Sequence, residues 1–266
     1  MITQLILAAW PVLRRGALAA IAGFSIALLA TATIIAALVF YANEGSPVLF
    51  PIPYLVACPV ILGLLASGGL PAFALGLEGR VSLGWALRCS VRVFPSLCFV
   101  AIPGLLGLGC FGVSLLFVFT IGFSGGGGLS PLGTAALFLF LILLAIPCGH
   151  IWLRTFAAPA CAVVIDSQGI VEAFRRSDAV IKSRRALLVV SVLLPLVPFL
   201  VTTPDSVASR SLASVGVSPT PVLVIRGVVA VLALFVSLGL SFLLPVVAYA
   251  LATNRPIAGY SPPESD

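Results

Sequence analysis

One histidine, six cysteines and eight acidic residues are all this 266-residue chain offers for catalysis or metal binding. Gly122-Phe123-Ser124-Gly125 sets a serine between glycines, and His150 is the single base that could activate it for nucleophilic attack. Ser124 falls at the outer end of one long apolar stretch, whereas His150 lies sixteen residues into the next. At helical rise that is about 24 Å of depth. A base must reach its nucleophile within hydrogen-bond distance, so no serine hydrolysis is expected and the chain is read as no enzyme.

The remaining chemistries fall in the same way. Cys58, Cys89, Cys98, Cys110, Cys148 and Cys161 show no CxxC spacing, and one histidine rules out a multi-histidine metal site. The acids Glu44, Glu78, Asp166, Glu172, Asp178, Asp205, Glu264 and Asp266 all avoid the middle of an apolar stretch, which disfavours carboxylate-coupled transport. The run Gly125 to Gly128 lacks the lysine and the strand-to-helix setting of a phosphate loop. No cofactor and no metal are expected.

What is left is basic. Arg88, Arg92, Arg175, Arg176, Lys182, Arg184 and Arg185 flank apolar stretches, and His150 and Arg154 stand one helical turn apart inside one. These nine are the candidate lipid-headgroup or polar intramembrane residues. From Gly169 to Arg185, Ile170, Phe174 and Ile181 share a helical face, while Glu172, Arg175, Arg176, Asp178 and Lys182 cover the other. The spacing predicts the ion pairs Glu172–Arg176 and Asp178–Lys182, with Asp166 or Ser167 capping the start. A basic amphipathic helix of this kind lies in the interfacial plane of a membrane. Anionic lipids are therefore the expected partners. Nucleic acid is not, because the excess charge of +6 is spread beside the apolar stretches.

The elements that must carry these residues follow from composition. Apolar residues make up 61% of the chain and charged ones 8%, with a mean hydropathy of +1.25. A soluble domain carries roughly 25% charged residues, so this chain belongs in a bilayer. A spanning helix needs about 20 apolar residues. Six stretches qualify: Gly16 to Tyr41, Pro53 to Leu77, Val93 to Ile121, Thr134 to Ala158, Ala186 to Val201 and Pro221 to Ala252. The first is expected to be an uncleaved span, since Arg14 and Arg15 come late and the apolar run exceeds a signal core. Eleven Lys and Arg residues flank one side of the six spans and two, Arg210 and Arg226, the other. The positive-inside rule then puts both termini in the cytoplasm of an inner-membrane, multi-pass protein.

The flanks also repeat. Pro71-Ala72-Phe73-Ala74 followed by Glu78 matches Pro159-Ala160-Cys161-Ala162 followed by Asp166, and Pro245-Val246-Val247-Ala248 makes a third copy. Ala86-Leu87-Arg88-Cys89-Ser90 likewise matches Ala173-Phe174-Arg175-Arg176-Ser177. The expected fold is all-α: a polytopic membrane helix bundle of six transmembrane helices, arranged as three parallel hairpin repeats (about 1–77, 78–165 and 166–254) with cytoplasmic interfacial amphipathic helices. Residues 1–254 form a single membrane domain and 255–266 a short solvated cytoplasmic tail.

The run from Ala158-Pro159 to Asp166, then Val171-Glu172-Ala173-Phe174-Arg175-Arg176-Ser177 and Arg184-Arg185, resembles the bacterial YciC-like polytopic membrane family. That group is similar to the membrane domain of some glycerophosphodiester phosphodiesterases. The resemblance implies six spans preceded by basic segments and no catalytic residue, because the phosphodiesterase chemistry sits in a separate soluble domain. The expected function is a membrane scaffold or lipid-interacting module, the alternative a transporter or permease-like subunit moving a small solute or lipid. A centre filled by Leu, Phe and Val favours the scaffold, and a polar central cavity favours the transporter.

Overall fold

The computed structural model describes residues 2–43, 51–79, 81–123, 146–194 and 219–261, and every regular element among them is helical. We label them α1 (Ile2–Asn43), α2 (Pro51–Glu78), α3 (Leu83–Phe123), α4 (Ile146–Asp166), α5 (Ile170–Leu193) and α6 (Pro219–Ala252). Among the described residues four stretches are long and apolar enough to cross a membrane: Ile2–Tyr41, Leu55–Glu78, Leu83–Leu105 and Ile146–Asp166. α6 runs for 34 residues. The expected fifth span is seen as far as Leu194; its end, the first part of the fourth, the turn holding Ser124 and the stretch holding Arg210 lie outside the described residues.

α1 and α3 are longer than a bilayer requires. At 1.5 Å per residue their 42 and 41 residues extend about 60 Å, twice the roughly 30 Å of hydrocarbon. The basic flanks read from the sequence are thus the first turns of the same helices: Arg14 and Arg15 lie within α1, Arg88 and Arg92 within α3. α5 breaks at Arg184, whose backbone leaves the helical region (φ −137°, ψ 41°) just where the basic segment meets the next apolar stretch. Neither Asp166 nor Ser167 caps α5. Gly169 stands at its N-cap without a side-chain bond, and Asp166 closes α4 instead, with Ser167 left-handed after it.

The buried core lies at the end of the bundle that carries the arginines. Leu70 to Phe73, Ala157 to Val163 and Phe242 to Ala250 are each buried on every side, forming the final turns of α2, α4 and α6. In each of these helices a buried proline, Pro71, Pro159 or Pro245, stands seven residues before the last helical residue, Glu78, Asp166 or Ala252. A left-handed residue follows shortly: Gly79, Ser167 or Asn254. After α6 the motif is complete. The amides of Asn254 and Arg255 return to the carbonyls of Leu251 and Ala250, and Pro256 prevents continuation. Around these ends pack Leu5, Ala8 and Val12 of α1, Leu97 and Val100 of α3, and Ile181 and Leu188 of α5.

Backbones approach closely where small residues meet. Gly23 of α1 faces Gly68 of α2, and a Cβ on Gly68 would come within 2.8 Å of the Gly23 carbonyl oxygen. Water exclusion drives no helix association inside lipid, so close contact of this kind takes its place. In α4 a π-turn at Leu153–Ala157 precedes Pro159, whose ring would clash with the Thr155 carbonyl in a regular helix. Large apolar side chains such as Leu18, Leu29 and Leu55 point outward, the pattern of a lipid-facing surface.

Candidate functional site

The basic end of the bundle gathers its polar side chains into three groups. The first is centred on Asp166, whose side chain is 1% exposed. Its Oδ2 accepts a hydrogen bond from the Tyr249 hydroxyl at 2.8 Å and lies 3.0 Å from Nε of Arg176. Its Oδ1 pairs with the guanidinium of Arg255. One carboxylate thereby joins the end of α4, the second turn of α5, the last turns of α6 and the segment beyond it. A buried charge needs such compensation to be tolerated, and here two cations supply it.

Sequence spacing assigned Arg176 to Glu172. It turns to Asp166 instead, because a desolvated carboxylate binds a guanidinium more strongly than one in water. Glu172, half exposed, lies 3.9 Å from Arg175. Asp166, Tyr249 and Arg255 were not singled out by sequence reasoning as a group. The visible signal was the acid closing the proline unit; its partners come from positions 83 and 89 residues away.

The second group lies higher on α4 and α5. Arg154 pairs with Asp178 at 2.7 Å, and Lys182 reaches the other oxygen of the same carboxylate at 2.8 Å, as the i,i+4 spacing predicts. The Lys182 hydrogen bond, aided by the Arg154 guanidinium, holds the Asp178 carboxyl below its ordinary range. His150, one turn before Arg154, has a buried Nδ1 with no hydrogen-bond partner among the described residues. Arg154 and Arg185 both lie near enough to act on it electrostatically.

The third group is open. Gln4 of α1, Arg184 and Arg185 at the break in α5, and Asn254 to Ile257 after α6 line a cleft of about 690 Å³. The tail that forms one wall is docked rather than solvated, as far as Tyr260. Ile257 is buried, the Ala258 amide donates to the Leu77 carbonyl at 2.8 Å, and Arg15 donates to the Ala258 carbonyl at 2.5 Å. Arg184 and Arg185 are exposed and take no ion-pair partner among the described residues. The same holds for Arg88 and Arg92, which lie apart from the cleft on the exposed face of α3.

The nine residues singled out in the sequence therefore divide. Arg176 belongs to the buried hub, Arg154 and Lys182 to Asp178, Arg175 weakly to Glu172, and Arg184 and Arg185 to the cleft. Among the described residues no group of three or more His, Cys, Asp or Glu could hold a metal ion. No protein-family model, curated protein or solved structure matches the chain.

Proposed function

We propose that this chain is a non-catalytic, multi-pass inner-membrane module that holds anionic lipid headgroups along a cytoplasmic basic belt. In this reading six helices cross the membrane as three parallel hairpins, both termini are cytoplasmic, and the chain is of the YciC-like kind. The carrying observation is the filled core at the basic end of the bundle: Phe73, Leu97, Phe156, Leu243, Val246 and Val247 are all buried there, where a transporter would open a polar path to the cytoplasm. The three buried prolines, each seven residues from a helix end, support the threefold unit. The first turns of α1 expose Ile2, Ile6, Leu7 and Trp10 together, an apolar face with a tryptophan that suits interfacial depth.

A basic residue beside an anionic surface contributes about 1 kcal/mol, so a belt of them selects charged lipid. The test is the lipid that accompanies the protein through purification in mild detergent. Anionic phospholipid should be enriched over its share in the membrane. The variant R88Q/R92Q/R175Q/K182Q, which leaves the Asp166 hub untouched, should retain several-fold less. Equal retention of zwitterionic and anionic lipid, or an unchanged ratio in the variant, would contradict the reading.

A further inference from the structure

We infer that the cleft between the start of α1, the break in α5 and the docked tail is a discrete binding site for the phosphate headgroup of one anionic phospholipid, distinct from the diffuse belt. The inference deepens the reading above by giving it a single saturable position. Three arginines, Arg184, Arg185 and Arg255, line the cleft, and among the described residues no acidic one does. Arg255 is committed to Asp166, whereas Arg184 and Arg185 have no carboxylate to answer them among the described residues. Two uncompensated guanidiniums lining one cleft repel each other unless an anion enters, and phosphate oxygens match their donors.

The same lining is partly apolar. Leu187, Leu251 and Ile257 belong to it, Ile257 and Leu187 being buried in the core beneath. Gln4 enters from the same turns of α1 that expose Ile2, Ile6 and Leu7, which sets the opening at interfacial depth. Charge and hydrocarbon within one lining describe an amphiphile rather than a free anion. The backbone break falls at Arg184 itself, where an unbroken helix would carry Arg184 and Arg185 about 100° apart around its axis.

The inference is tested by titrating delipidated protein with phosphatidylglycerol in neutral detergent and counting bound lipid by native mass spectrometry. The unaltered chain should show one saturable equivalent. R184Q/R185Q should weaken that equivalent at least tenfold, while R88Q/R92Q, which removes the same charge outside the cleft, changes it less than twofold. S183E, which adds a carboxylate to the lining and leaves both arginines in place, should also weaken it. Glycerol phosphate at equal concentration should fail to displace the lipid. Equal losses in the two double variants, no saturable equivalent, or displacement by glycerol phosphate as effective as by lipid would each overturn the site. Loss of the saturable equivalent alone, with general enrichment of anionic lipid intact, would leave the belt standing.

Discussion

At the scale of single residues, Asp166 has the largest predicted effect. Its carboxylate is desolvated and accepts from Tyr249, Arg176 and Arg255, so replacing it leaves two guanidiniums unpaired at once. The arginine heads are 43% and 38% exposed and can turn partly to water, which keeps the cost of D166N near the lower end for a broken buried pair, about 2–3 kcal/mol. Y249F removes one hydrogen bond and should cost about 1 kcal/mol. Thermal unfolding of the detergent-purified variants should rank D166N well below Y249F and both below the unaltered chain. D166N unfolding at the unaltered temperature would show the hub to be incidental. The identity of that hub was only half legible in the sequence. The proline-to-acid spacing marks Asp166 as special, but burial depends on where α5, α6 and the tail come to rest. Local pattern assigned Arg176 to Glu172 because both sit on one exposed face, and it could not see the desolvated competitor across the turn.

At the scale of elements, apolar runs located the helices and small residues explain how they meet. The runs were legible because lipid demands continuous hydrocarbon over a fixed length. Their ends were not: nothing in periodicity distinguishes a basic segment lying apart from one continuing into the span, and α1 and α3 turned out continuous. The tail misled for a related reason, since Pro256 and Pro262 read as a loose end while Ile257 is buried and Ala258 is bonded to Leu77 and Arg15. The α1–α2 contact gives a sharp test. A Cβ on Gly23 has no room against Gly68, whereas one on Gly84 meets nothing within 4 Å. G23A should therefore destabilise by roughly 1–3 kcal/mol through overpacking, and G84A should be neutral or slightly stabilising through helix propensity. Melting curves of the two alanine variants compare the same added methyl in both settings. Equal melting temperatures would mean that α1 and α2 do not approach as described.

At the scale of the whole molecule, scarcity of charge and its placement are one fact. Charges occupy 8% of the chain, and among the described residues they cluster where the helix ends are most tightly packed. The basic groups cap an apolar core there, tie it through Asp166 and Asp178, and leave Arg184, Arg185, Arg88 and Arg92 facing outward. Such an arrangement suits a protein that holds lipid on one face of a membrane. It requires that every basic segment, and the tail docked beside Arg15, share that face. Reporter fusion measures this directly. A fluorescent protein joined after Asp266 should fold and fluoresce in the cytoplasm, and alkaline phosphatase inserted at residues 125–128 should be active outside. Phosphatase active after Asp266, with fluorescence lost there, would contradict the account.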